Sequence, residues 1–338
     1  MSKQFHLSVV ATSRNDNHGG SLTYRMQHFV DGFVQQCRRH QLKAELILVE
    51  WNPPADTAPL TEELHYPSDK GPCAIRIIRV PQDVHMSFEH GRHLPLFQMI
   101  AKNVGIRRAL GDFVLATNID ILFSDELMSF MRNKLQPGVL YRADRLDVPH
   151  ELPRTQSFDE LLQFCRNKYF RINGKQGTIH LQESSEIKKA FKNILKSIVS
   201  RIYNKRSKNE LPFLHTNGCG DFTLLSYEDW AALRGYPEWP IFSFHIDSVL
   251  LYQAHHQGIK ERDLPKKMAA YHIEHSLGSG YSAEGANLLF KRLEEKGIPY
   301  LNYSDLLEIV TKMRNDKQYT FNKENWGLNE FSFQEQWV

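Results

Sequence analysis

Residues 102–120 read KNVGIRRALGDFVLATNID. A helical pattern that begins at 96 runs to Ala109 and is broken at Gly111, a residue type that ends helices because it tolerates left-handed backbone. Residues 113–117 are then apolar throughout, which is the reading of a strand covered on both faces rather than one. The chain leaves that strand through a polar, acidic turn, Asn118-Ile119-Asp120. Helix, break, buried strand and acidic turn in that order predict one unit of a parallel sheet.

Working outward, the same alternation recurs. Residues 5–11 form an apolar run that ends in Thr12-Ser13-Arg14-Asn15-Asp16. Leu22, Met26, Phe29, Val30, Phe33, Val34 and Cys37 follow at helical spacing with one buried face. Residues 44–49 and 75–80 read as two more strands. Strands alternating with helices predict an α/β fold with a mostly parallel, Rossmann-like sheet flanked by helices. Ligands of such sheets sit beyond the carboxyl ends of the strands. The two polar turns, 12–16 and 118–120, both lie there.

The composition agrees with a folded domain. The chain has 338 residues, 41% hydrophobic and 24% charged, enough apolar material for a large core. A net charge of +3 is too balanced for nucleic-acid binding by the whole molecule. Cys37, Cys73, Cys165 and Cys219 are scattered without a C-x-x-C pair, as expected of reduced thiols in a cytoplasmic protein. The first residues lack a signal-peptide apolar core, and no run of about 18 apolar residues exists to span a bilayer.

Three further stretches carry chemistry-bearing residues. Residues 215–238 hold the glycine-rich His-Thr-Asn-Gly-Cys-Gly-Asp run and then Gly235-Tyr236-Pro237-Glu238. Glycines there let backbone approach a ligand closely; a tight turn before a buried strand, with Asp221 as a cap, explains the pattern equally well. Residues 245–248 read His-Ile-Asp-Ser, where Asp247 suits a helix cap. His272-Ile273-Glu274-His275 places two imidazoles at i, i+3. That is half of a zinc site, but no Cys or further His follows at matching spacing.

Taken in order, these blocks resemble the GT-A fold nucleotide-sugar glycosyltransferases, especially the large inverting bacterial family. The resemblance spans about 5–281 and is interrupted by 150–212. It implies that Asp120 matches the second carboxylate of the family's Asp-x-Asp metal motif, with Asn118 standing where the first Asp is usual. It implies a divalent metal, Mn2+ or Mg2+, completed by His272 or His275, that neutralises the leaving diphosphate. Thr12, Arg14, Asp16, Glu50, Lys102 and Asn103 fall where the family holds base, ribose or phosphate. Gly220 and Asp221 fall under the donor sugar. Asp247 falls where a carboxylate deprotonates the acceptor hydroxyl, although His245-Ile246 replaces the Glu usual before it. The implied reaction is transfer of a sugar to a carbohydrate or lipid-linked hydroxyl, with inversion, in polysaccharide or glycolipid assembly.

The expected organisation is a nucleotide-sugar half at 1–149, a basic helical insertion at 150–212, an acceptor half at 213–282 and a helical C-terminal extension at 283–338. Within 186–208 an apolar stripe is bordered by lysines and arginines, a pattern that suits either packing on the domain or docking on an anionic membrane. Two rivals stand beside the transferase. A sugar-nucleotide nucleotidyltransferase is disfavoured because its Gly-rich loop is absent after the first strand. A catalytically silent, membrane-docked scaffold is kept open by Asn118 and by the residues before Asp247.

Overall fold

The computed structural model describes residues 3–153, 157–181, 211–275, 283–317 and 319–338. The elements of the first half are β1 (Phe5–Ser13), α1 (Leu22–His40), β2 (Ala44–Trp51), α2 (Leu60–Glu63), β3 (Ala74–Val80), α3 (Gln82–Met86), α4 (Gln98–Arg107), β4 (Gly111–Thr117), β5 (Ile121–Phe123), α5 (Asp125–Asn133), β6 (Val139–Arg142) and β7 (Arg145–Val148). Then come α6 (Phe158–Lys168), β8 (Arg171–Gly174), β9 (Gly177–His180), β10 (Phe222–Ser226), α7 (Tyr227–Leu233), α8 (Ile246–His256), β11 (Lys260–Asp263), β12 (Ala270–Ile273), α9 (Ala283–Glu295), α10 (Tyr303–Asp316) and β13 (Gln334–Trp337).

One eight-stranded sheet runs β11-β6-β10-β4-β1-β2-β3-β13. Its centre, β4-β1-β2-β3, is parallel. Around it β10 pairs antiparallel with both β4 and β6, and β13 antiparallel with β3. The apolar runs read from sequence are explained by side chains alternating between two cores. On β1, Leu7, Val9 and Ala11 pack toward α1 and α5, whereas Val10 packs toward α4 and α8. All seven apolar positions of the α1 stripe are buried, each Phe or Val contributing about 1.5–3 kcal/mol relative to exposure. Gly105 lets α4 lie close on the sheet: a Cβ there would stand 2.5 Å from Val10 Cγ1 and 3.1 Å from Val49 Cγ2.

A second sheet runs β5-β12-β7-β8-β9. It corrects the helical reading of 150–212. The described part holds α6, but Arg-Ile-Asn-Gly-Lys-Gln-Gly-Thr-Ile-His folds into the β8–β9 hairpin, closed where Gly174 pairs Gly177. The basic stripe of 186–208 lies outside the described residues. The C-terminal extension, 283–338, carries its helices in α9 and α10. After α9 and α10 the chain buries Trp326 and Leu328 and ends in β13 on the sheet edge. All four cysteines are free and buried. Among the described residues no helix is long and apolar enough to cross a membrane.

Candidate active site at the carboxyl end of β4

β4 and its pairing with β10 deliver the central groups. Just beyond β4, Asn118 accepts through Oδ1 from Gln98 Nε2 and from Lys102 Nζ, both at 2.9 Å. Asn118 Nδ2 donates to Asp221 Oδ1 at 2.6 Å. Asp221 is there because β10 runs antiparallel to β4 and places Phe222 opposite Thr117. Lys102 is wholly buried and also donates to the Gly220 carbonyl at 2.7 Å. Burial pulls its ammonium down to about 8, although the charges of Asp221 and Asp247 oppose that.

Asp120 is almost fully buried and lies beside two histidines supplied by the second sheet. β12 pairs with β5 so that His272 stands opposite Ile121. His275 Nε2 is 3.4 Å and His272 Nε2 3.7 Å from Asp120 Oδ2. The three residues can each bring a ligand atom within 4.8 Å of the others. Burial would raise the Asp120 carboxyl, but His272, His275 and Arg25 outweigh it and hold it well below the usual range. Gly19, at φ +73°, packs so tightly on His275 Nδ1 that a Cβ would collide with it.

Arg25 is the neighbour that the sequence reading did not single out. Its Nη1 donates to Asp120 Oδ2 at 2.7 Å, and Nη2 donates to the carbonyls of His18 and Gly20. A signal existed, since 22, 25, 26 and 29 follow helical spacing and put Arg25 on the buried stripe of α1. One carboxylate oxygen of Asp120 is thus engaged. The other, Oδ1, is buried without a hydrogen-bond partner among the described residues. Asp120 therefore keeps one oxygen free of Arg25, and with His272 and His275 it forms a group that could hold a divalent cation.

Two more charged residues were missed, Arg145 and Asp147 on β7. Arg145 Nη1 meets Asp221 Oδ2 at 2.8 Å, and its Nε meets Asp147 Oδ1 at 2.9 Å. Asp147 in turn bonds His272 Nδ1 at 2.9 Å. An unbroken polar chain therefore runs from Asn118 through Asp221, Arg145, Asp147 and His272 to Asp120.

Asp247 lies in the first turn of α8 and is half-buried. Its Oδ1 accepts from Ser248 N at 2.8 Å. Its Oδ2 leans over Gly220, where a Cβ would come within 3.3 Å of it. Gly220 is thus shared by the Asn118 side and the Asp247 side, which puts the glycine's missing side chain to use.

The expected nucleotide residues divide. Thr12, Arg14 and Asp16 gather at the carboxyl end of β1; Arg14 bonds Asp16 at 3.0 Å and the Asn52 carbonyl at 2.9 Å. Glu50 is buried and receives Leu60 N at 2.8 Å, with Arg79 at 3.5 Å. Burial raises its carboxyl, and the Leu60 hydrogen bond and Arg79 oppose this. Asn103 is wholly buried and spent on the Gly235–Glu238 turn, bonding Tyr236 N and O at 2.8 Å and Glu238 Oε1 at 3.0 Å. The structure therefore separates Asn103 from the wall of the site and gives it the task of tying α4 to that turn.

The parallel centre, the antiparallel β10 beyond β4, and an Asx-rich turn at the carboxyl end of β4 belong to an α/β fold with a large sheet flanked by helices. No protein-family model and no curated protein matches the chain. Among solved structures it is similar to GalNAc-T7 with UDP, GalNAc and Mn2+, at 13% identity and TM-score 0.43, over 97% of this chain and 56% of that one. The chain thus spans little more than half the length of that protein. It is also similar to the catalytic domain of Drosophila β1,4-galactosyltransferase 7 in complex with xylobiose, at 9% identity and TM-score 0.36, over 83% of this chain and 78% of that one.

Proposed function

We propose that the protein transfers a glycosyl unit from a nucleoside-diphosphate sugar to a hydroxyl acceptor. The observation that carries this reading is the convergence of Asp120, His272 and His275 at the carboxyl end of β4, with Asp221 and Asp247 on either side of Gly220. Asp120, His272 and His275 would hold Mn2+ or Mg2+, which supplies charge neutralisation on the departing diphosphate. Thr12, Arg14 and Asp16 line the end of β1 where the nucleoside would lie. Asp221, oriented by Asn118 and Arg145, presents a carboxylate to sugar hydroxyls. Asp247 takes the acceptor proton as the hydroxyl attacks the anomeric carbon, and one base suffices because the diphosphate leaves unprotonated. Inversion follows from that single displacement.

The acceptor class is a carbohydrate or a lipid-linked glycan in polysaccharide or glycolipid assembly, and the basic stripe at 186–208 supports one presented at an anionic membrane surface. Flotation with anionic vesicles checks the latter. The central test is calorimetry with a panel of nucleotide sugars, with Mn2+, with Mg2+ and with neither. Micromolar binding of one donor, strengthened by metal, is expected; no binding of any donor under all three conditions would remove the transferase reading. The silent scaffold is the second reading, favoured by the Arg25–Asp120 ion pair, and donor binding without transfer or hydrolysis would support it.

A further inference from the structure

We propose that Asp147 is a positioning residue of this site: it holds His272 by Nδ1 and so turns Nε2 toward Asp120 and the cation. The inference rests on the metal reading above and concerns a residue outside the ligand set.

Asp147 is entirely buried at the centre of β7. Its Oδ1 meets His272 Nδ1 and Arg145 Nε, both at 2.9 Å. Its Oδ2 accepts from Asn173 Nδ2 at 2.8 Å and from Arg171 Nε. Two guanidinium groups and an amide thus surround the carboxylate besides the imidazole. A carboxylate held ionised in this way has no proton to give, so it can only accept. Nδ1 of His272 must then carry the hydrogen, and Nε2, 3.7 Å from Asp120 Oδ2, is the nitrogen left to face the cation.

The register makes the pairing a property of the sheet. β12 runs parallel to β7 with His272 beside Asp147 and is antiparallel to β5, which follows directly after Asp120. One strand thus carries a residue between the orienting carboxylate on one side and the cation ligand on the other. A carboxylate behind a metal-bound imidazole fixes its tautomer and increases its basicity, and loss of such a partner typically lowers metal affinity by about 10–100-fold. Asp147, His272 and Glu274 also lie close enough to suggest a second cation site. Arg171, however, bonds both Asp147 and Glu274, the latter at 2.6 Å, and so occupies that place with a positive charge.

The test combines a tautomer measurement with a binding measurement. Histidine side-chain 15N spectra of the metal-free wild-type chain, with the His272 signals assigned by H272Q, should show the Nδ1–H form. Asp147→Asn should weaken Mn2+ binding by about 10–100-fold in calorimetry and redistribute the tautomer. An Nε2–H form in the wild type overturns the proposal, as does Mn2+ affinity unchanged in a folded Asp147→Asn. The wild-type spectrum decides even where that variant does not fold. A wild type that binds no Mn2+ yet shows Nδ1–H would sink the metal reading and leave the Asp147–His272 pairing intact.

Discussion

A buried carboxylate such as Asp120 persists only where positive or hydrogen-bonding groups replace its lost hydration, and here Arg25, His272 and His275 do so. Because Arg25 takes Oδ2 and leaves Oδ1, removal of the carboxylate should uncouple metal from donor. We expect Asp120→Ala to abolish the Mn2+-dependent part of donor binding in calorimetry, and undiminished metal dependence would exclude Asp120. Asp247→Asn keeps the shape and the Ser248 contact but loses basicity. It should retain donor affinity within a few-fold while transfer falls by about 10²–10⁴, as read by product formation; retained turnover would exclude it as the base. Lys102 gives a pH signature. Its ammonium is held down to about 8 in the folded chain against an ordinary 10.5. Between those values the unfolded chain binds one proton more, so stability contributed by this group rises with pH across the window. Relative to Lys102→Met, the wild type should gain about 3 kcal/mol from pH 8 to 10.5 in urea unfolding. A pH-independent difference between the two would show that the lysine is not perturbed.

Elements are placed by what they can approach. Helix α4 must come near β1 and β2 to carry Lys102 over Asn118, and Gly105 makes that approach possible. Gly105→Ala should raise helix propensity by about 1 kcal/mol. It also forces a methyl group into Val10 and Val49, two β-branched side chains fixed in central strands, at about 1–3 kcal/mol. The packing term should win, so we expect net destabilisation in chemical denaturation together with weakened donor binding as Lys102 shifts. A stabilised variant would show that α4 has slack. The second sheet works in the same way, since its β12 is the strand that carries His272 between Asp147 and Asp120.

Across the whole molecule, the C-terminal segment closes what the earlier chain leaves open. β13 covers the edge of β3, which otherwise presents unpaired backbone groups. Glu335 meets Arg76 at 2.8 Å. Arg108 donates to the carbonyls of Gly327, Leu328 and Phe331 at 2.7–3.0 Å. Trp326, 2% exposed, packs beside Arg107 and against the core around α4. Trp326→Ala should cost about 3–5 kcal/mol, measured by urea unfolding. A cost below about 1 kcal/mol would mean that the segment merely rests on the surface.

The alternation of buried strands and one-faced helices was legible in the sequence because each pattern is local, set by periods of 2 and 3.6 residues. So was the placing of Asp120 and Thr12–Asp16 at strand ends. β13 was not legible, because all four of its residues are exposed and its pairing is with a strand far away in the chain. The β8–β9 hairpin was hidden within a segment read as helical. Nor did any local pattern show that Glu50 and Asn103 would be consumed by internal hydrogen bonds. Of the neighbours of Asp120, His272 and His275 were expected from the sequence, whereas Arg25, and Asp147 behind His272, belong to the tertiary structure alone. Arg25 stands 95 residues away from it, and Asp147 and His272, which meet each other, are 125 residues apart. The sequence by itself determined which residues could carry charge to the end of β4. Only the packing of two sheets decided which arginine shares Asp120 and which carboxylate holds His272, because those choices are made by contacts between strands and helices that sequence spacing does not encode.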